Sequence, residues 1–268
     1  MRTALINDYK AIAYAVATSG LQGKLKSAPL RQLNSSAIAV DGGRIGIRGA
    51  GTGLGTARLE YNKEKELYFP LDSEGGHTFL PIDPSNETEV EIAKELMRYT
   101  NGRKPNYEDV LSGRGIERIF DFFAYQYIKQ GRAKEISDFL EQKKKSEDKA
   151  EYIGEAAAGN NPHKIFSDTM DFFWKTYGRS LHDLAVHENA RGGVWVAGGI
   201  IRKHYSKSRK KQYRDYIENT IMEEFNSGKT HRDWVGQIPV NAILDKRVGL
   251  EGCIQVAINE EYMRRETS

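Results

Sequence analysis

The chain has 268 residues, enough for one large domain or two small ones with a sizeable core. Hydrophobic residues make up 39% and charged residues 29%, and 40 Lys and Arg against 37 Asp and Glu leave a net charge of +3, so neither nucleic acid nor an anionic membrane is expected as a partner. A single cysteine, Cys253, excludes an intrachain disulfide and a cysteine-based zinc site; with no signal-like start and no bilayer-length apolar window, a cytoplasmic location is the expectation.

In chain order, residues 4–18 carry apolar side chains at helical spacing, with Asp8 placed to cap a helix through Ala11, Ile12, Ala15 and Val16. Gly, Ser and Pro mark residues 19–35 as a loop. Alternation then predicts strands over 37–40, 45–48, 57–61 and 66–71. Asp41-Gly42-Gly43-Arg44 predicts a hairpin turn between the first two. The glycine run Gly49–Gly55 predicts a turn with bare backbone between the second and third. Helical spacing returns over 88–99 and 116–129. The stretch 134–149 is charged, its KKKSEDK tail (143–149) predicts a solvated surface segment, and the basic run Lys203–Arg214 predicts a solvated helix face. Residues 164–189 predict one long helix with Phe166, Met170, Phe173, Tyr177, Leu181 and Leu184 on its buried side. Residues 194–197 and 238–244 read as strands, and 250–264 as a closing helix. This order predicts α/β architecture.

Several segments carry residues able to do chemistry. GAGTGLGTA, from Gly49 to Ala57, has glycine at every second position as far as Gly55. Backbone N–H groups free of side chains can converge on a phosphate, and the Thr52 hydroxyl adds a donor. A glycine-rich hairpin without a ligand has the same pattern, and no Gly-Lys-Ser/Thr follows to make a Walker A loop. SEGGH, from Ser73 to His77, sets Glu74 and His77 around two glycines. Such a pair can accept from and donate to the vicinal hydroxyls of a sugar; taken alone, it reads first as a turn carboxylate and a satisfied histidine. Asn7-Asp8 stands at a strand-to-helix junction, where Asp is a general base or, more simply, an N-cap. YEDVLSGRGIE carries Glu108 ahead of Ser112-Gly113, which also reads as a boundary between helices. RGGVWVAGGI is an apolar strand ending at Gly198-Gly199. It either opens a ligand crevice at the carboxyl end of a sheet or packs tightly on a helix.

Together and in this order, INDYKAIAYA, GAGTGLGTARL, SEGGHTFLP, EDVLSGRGIERIF, GGVWVAGGI and IPVNAILDKRVGLEG resemble the bacterial-type glucokinase family, part of the actin-like, ribonuclease-H-like superfamily of two-lobed kinases. The resemblance extends from Ile6 to about Gly252. It implies the α/β, ribonuclease-H-like large lobe of a sugar kinase that phosphorylates the 6-hydroxyl of glucose with ATP and Mg²⁺. It implies that Asn7, Asp8, Glu74, His77 and Glu108 bind the glucose hydroxyls and that Asp8 is the base. Gly51, Thr52 and Gly53 match the second phosphate loop, and Gly198 and Gly199 the adenosine side; no protein metal ligand is implied. Buried Glu, His and Asn at such a site would reject sugars that lack the matching hydroxyls. The family also suggests a homodimer.

The family opens with a small-lobe sheet carrying an Asp-x-Gly-Gly-Thr phosphate loop, whereas only MRTAL precedes INDY. Residues 1–18 are therefore expected as a hinge with a remnant of the small lobe, 19–249 as the large lobe and 250–268 as a helix packing on the small lobe. The chain by itself is expected to bind sugar weakly and to need an N-terminal segment, in cis or as a partner, for catalysis. The alternative is a non-catalytic sugar-binding or regulatory module derived from such a kinase. Two positions depart from the family pattern: Arg114 replaces the usual proline of SGRG, and Tyr9 replaces a common Phe.

Overall fold

The computed structural model describes residues 3–21, 30–206, 210–228 and 232–267. Its strands are β1 (Leu30–Gln32), β2 (Ile45–Ala50), β3 (Leu54–Asn62), β4 (Leu67–Ser73), β5 (Gly193–Ala197) and β6 (Val240–Ile243). They form one sheet in the order β1-β6-β5-β2-β3-β4. β2, β5 and β6 run parallel, while β3, β4 and β1 join antiparallel. The helices are α1 (Asp8–Leu21), α2 (Glu87–Tyr99), α3 (Gly113–Lys129), α4 (Ala133–Lys145), α5 (Lys149–Ala157), α6 (Lys164–Glu188), α7 (Gly199–His204), α8 (Lys211–Phe225), α9 (Arg232–Val235), α10 (Val248–Ile258) and α11 (Glu260–Thr267).

The two-residue period of a strand sorts the side chains of this sheet onto two cores. In β5, Val194 and Val196 enter the larger core, while Trp195 and Ala197 enter the smaller. In β2, Ile45 and Ile47 join the smaller core with Ile12, Val16 and Ala17 of α1. Both faces are covered, which is why β5 reads as an unbroken apolar run. The larger core is filled by α3, α5, α6 and α8. All six apolar residues expected on the inner side of α6 are buried there. Each such side chain contributes about 1.5–3 kcal/mol relative to exposure, so a charge at any of them would unseat the helix. On the other face α10 crosses α1 so closely that a Cβ on Gly252 would stand 1.7 Å from the Ala11 carbonyl oxygen.

Five segments differ from the sequence pattern, the first being residues 30–32, which lie in the expected loop 19–35 but form β1 by pairing with β6. Residues 37–40 form no strand, and Ile38 and Val40 are exposed. β2 already has β3 on one edge and β5 on the other, so no edge is left for them, and Asp41-Gly42 turns outside any hairpin. The KKKSEDK tail is not wholly solvated: Lys143–Lys145 close helix α4, and Lys143 is buried and bonded to Asp121 at 2.5 Å. The run Lys203–Arg214 is not one helix face: it spans the end of α7 and the start of α8, with 207–209 outside the described residues, and His204 and Tyr205 are buried. The closing helix breaks at Asn259 into α10 and α11, because Asn259 caps α11 through its side chain.

Candidate active site

The site starts at the N-terminus of α1. Asn7 Oδ1 accepts from Tyr9 N at 2.8 Å and Lys10 N at 3.3 Å, and Ala11 N reaches the Asn7 carbonyl at 2.9 Å. Asn7 is therefore the cap, one residue earlier than the apolar spacing suggests. Asp8 is the first helical residue. Its Oδ1 accepts from Tyr9 N at 2.9 Å, which leaves Oδ2 without a hydrogen bond to any described residue. Asn7, Asp8, Leu54, Gly55, Ser73 and Glu74 share the wall of one cleft of about 460 Å³. Three of the five expected sugar contacts thus meet in one place.

The other two stand beside it. His77 Nε2 lies 3.6 Å from Glu74 Oε2. Glu108 Oε2 accepts from Leu54 N at 3.0 Å, and its Oε1 lies 3.7 Å from the Arg114 guanidinium. The expectation of a buried polar site is not met in this conformation: the Glu74 side chain is 92% exposed and that of His77 54%. The cleft is open, and a carboxylate in water holds a ligand less firmly than one in a closed pocket.

The alternate glycines of GAGTGLG turn out to have separate causes. At Gly55 a Cβ would stand 1.9 Å from the Tyr9 ring, and at Gly49 it would stand 2.5 Å from both the Tyr9 hydroxyl and the Ala197 carbonyl oxygen. At Gly53 it would meet Glu108 Oε2 at 2.8 Å. These three positions are bare to admit side chains and a neighbouring strand. Only Gly51 opens outward, with nothing within 4 Å of its would-be Cβ. Thr52 is exposed at the tip, above a turn closed by Gly51 N on Gly53 O at 2.8 Å. The turn is anchored to α3 by Gly113 N on Gly51 O at 2.9 Å.

Gly198 and Gly199 complete this edge. Gly49 pairs with Ala197 across the parallel strands β2 and β5, so both glycine turns leave the sheet side by side at carboxyl ends, where ligands of α/β sheets sit. Gly198 has φ +99° and lies against Ala50, whose carbonyl oxygen would be 2.4 Å from a Cβ. A Cβ on Gly199 would meet nothing within 4 Å. Space is thus left open at Gly51, whose carbonyl is bonded to the first residue of α3, and at Gly199. No group of three or more His, Cys, Asp or Glu able to hold a metal occurs among the described residues.

One supporting residue was hidden in the sequence. Arg48 is 3% exposed in β2 and donates to Ser180 O at 2.6 Å, Gly75 O at 3.1 Å and Thr56 Oγ1 at 3.3 Å. It ties the SEGGH turn to α6 and β3. Burial pulls its pKa below the ordinary arginine value, and the Tyr107 ring lies 5.5 Å from the guanidinium carbon. The available signal was an arginine within the apolar run Ile45–Ala50, where a charge must be fully hydrogen-bonded to be tolerated.

A parallel-centred sheet with helices on both faces and glycine turns at its carboxyl edge is the actin-like, ribonuclease-H-like architecture of sugar kinases. Solved structures of that class superimpose well: glucokinase from Balamuthia mandrillaris in complex with glucose, at TM-score 0.73 and 19% identity, covers 95% of this chain and 65% of its own. A ROK family glucokinase from Streptomyces griseus in complex with glucose and AMPPNP gives TM-score 0.57 at 19% identity, with 92% and 65% covered. The family model described as Glucokinase matches residues 1–260, and the chain belongs to that family. A curated relative, glucokinase of Nostoc punctiforme, is 32% identical over 256 residues, covering 92% of this chain and 69% of the relative. The chain spans about two thirds of the length of the curated relatives it matches.

Proposed function

We propose that this chain binds glucose and takes part in its phosphorylation at the 6-hydroxyl by ATP. The observation that carries the reading is the convergence of Asn7, Asp8 and Glu74 on one cleft, next to a hairpin whose tip opens at Gly51. Asp8 takes the proton of the 6-hydroxyl as that oxygen bonds to the γ-phosphorus and the bond from phosphorus to the β-phosphate oxygen breaks. Its Oδ2, without a hydrogen bond to any described residue, is the acceptor. Glu74, His77 and Glu108 hold the other hydroxyls, joined by the Asn7 side chain. Gly51, Thr52 and Gly53 line the phosphates, and Gly198 and Gly199 the adenosine side. Bound with the nucleotide rather than by protein ligands, Mg²⁺ would supply neutralisation of phosphate charge. Positioning and electrostatics supply most of the catalysis in such transfers.

The same reading takes residues 1–18 as a hinge with a remnant of the small lobe, 19–249 as the large sugar- and nucleotide-binding lobe and 250–268 as a helical segment that packs on the small lobe. It also places the protein in the cytoplasm. Calorimetric titration with glucose, together with a coupled phosphorylation assay, tests the proposal. Glucose should bind, and Glu74→Ala should weaken binding about tenfold, the worth of one charge-assisted hydrogen bond. Unchanged affinity in Glu74→Ala would remove SEGGH from the sugar site. Binding without phosphorylation by the chain alone agrees with the need for an N-terminal segment; phosphorylation that stays absent when that segment is supplied, in cis or as a separate chain, would favour a module that holds sugar only.

A further inference from the structure

His77 has two ring nitrogens, and each meets a different neighbour. Nδ1 lies 3.3 Å from Asn106 Nδ2, and Nε2 lies 3.6 Å from Glu74 Oε2. Which nitrogen carries the proton follows from the orientation of the Asn106 amide. Asn106 Oδ1 accepts from Asp109 N at 3.0 Å, so the end turned toward His77 is the NH₂ donor. That orientation is held from several sides. Asp109 Oδ2 accepts from Asn106 N at 2.9 Å, and Arg103 and Arg118 fix the Asp109 carboxylate. The neighbouring chain is laced to the residues after His77: Tyr107 N donates to Thr78 O and Leu80 N to Pro105 O, both at 3.0 Å. Asn106 itself is 8% exposed. An NH₂ group cannot accept. Nδ1 therefore presents its lone pair, and the neutral ring carries its proton on Nε2.

We propose that Asn106 is a positioning residue that sets the tautomer of His77, so that Nε2–H is offered as a donor beside the Glu74 carboxylate. The proposal rests on the reading of His77 as a sugar contact. A donor and an acceptor side by side match two neighbouring hydroxyls, one accepting from the imidazole and one donating to the carboxylate. The opposite tautomer would set a lone pair next to a carboxylate and leave no donor in the pair. Asn106 thereby turns a histidine that can play either part into one with a fixed sense, suited to a vicinal diol.

Nitrogen-15 spectroscopy of the histidine rings in the 268-residue chain tests this without any ligand, in mildly alkaline solution where imidazole is neutral. The His77 signals are identified by their loss in His77→Gln. Nδ1 should be the unprotonated nitrogen. Asn106→Asp is the discriminating variant: one carboxylate oxygen keeps the bond from Asp109 N, while the other puts an acceptor where the NH₂ stood. It should move the proton to Nδ1, and glucose affinity should fall about tenfold, the worth of one hydrogen bond to ligand with its geometry lost. A His77 proton on Nδ1 in the unmutated chain overturns the proposal, and so does a tautomer that stays the same in Asn106→Asp. A tautomer that switches while glucose affinity holds upholds the role of Asn106 and overturns the reading of His77 as a sugar contact. Should Asn106→Asp fail to fold, the measurement on the unmutated chain still decides.

Discussion

The Tyr9 hydroxyl donates to the Gly49 carbonyl oxygen at 2.5 Å, so the residue next to Asp8 is bonded directly to the first glycine of the hairpin. Burial, and then the charge of Asp8, push the Tyr9 phenol well above the ordinary tyrosine range, so it stays a donor. Tyr9→Phe keeps the ring over Gly55 and removes only the donor. Stability should fall by about 1 kcal/mol, the net worth of one hydrogen bond. Tyr9→Ala also empties the space beneath Gly55 and should cost about 3 kcal/mol or more. Urea denaturation of the two variants checks the order.

Asp8→Asn should leave glucose affinity within a few-fold and reduce turnover by about 100-fold or more, the usual contribution of a general base. The amide keeps an oxygen to cap Tyr9 N but cannot take a proton. A coupled assay on a form of the enzyme that turns over, read beside calorimetry, separates the two effects. Turnover within about tenfold of the unmutated enzyme would strip Asp8 of the base role.

The glycines of the hairpin should answer differently to the same substitution. Gly53→Ala drives a methyl to 2.8 Å from Glu108 Oε2 and displaces the bond to Leu54 N. A loss of about 1 kcal/mol is expected, since Glu108 is partly exposed. Gly51→Ala meets no neighbour, so stability should hold within about 0.5 kcal/mol while nucleotide affinity falls. Equal effects on folding would contradict the geometry.

Alkaline solution should unfold the chain early. Tyr262, buried with a hydroxyl that has no hydrogen-bond partner among the described residues, has its pKa pushed up from 10.0 to about 12 by burial. Burial also raises Tyr14, Tyr107, Tyr177, Tyr205 and Tyr216. The unfolded chain loses these phenol protons first, so it binds fewer protons than the folded chain. Stability is full below pH 10 and declines as pH rises toward 12. Denaturation midpoints measured from about pH 8 to about pH 11 should fall steadily over the upper part of that range; a flat profile would contradict the burial of these rings.

What could be read from the sequence and what could not divide along physical lines. α6 was legible to within a residue because Phe166 through Leu184 repeat at helical spacing and one face meets a large core. β5 was legible because both its faces are covered. Residues 37–40 misled because alternation reports a strand's side chains, not whether a sheet edge is free to receive it. The candidate site was legible as segments: Asn7, Asp8 and Glu74 meet as their motifs suggested. Arg48 and Asn106 were not, since their parts depend on atoms far along the chain, such as Ser180 O and His77 Nδ1. Nor could spacing tell that Gly49 and Gly55 make room for Tyr9.

Glu108 is bonded to the backbone of the hairpin at Leu54 while standing among the residues assigned to the sugar. On that assignment one carboxylate serves both, and a hydroxyl that engages Oε2 competes with the Leu54 N–H. The free energy of the turn then depends on whether sugar is present. Thermodynamic reciprocity requires the converse: whatever phosphate group settles on the hairpin alters the affinity for sugar by the same factor. On that assignment cooperativity between the two substrates runs through a single side chain, and it should vanish in Glu108→Ala, which removes the acceptor of the Leu54 N–H.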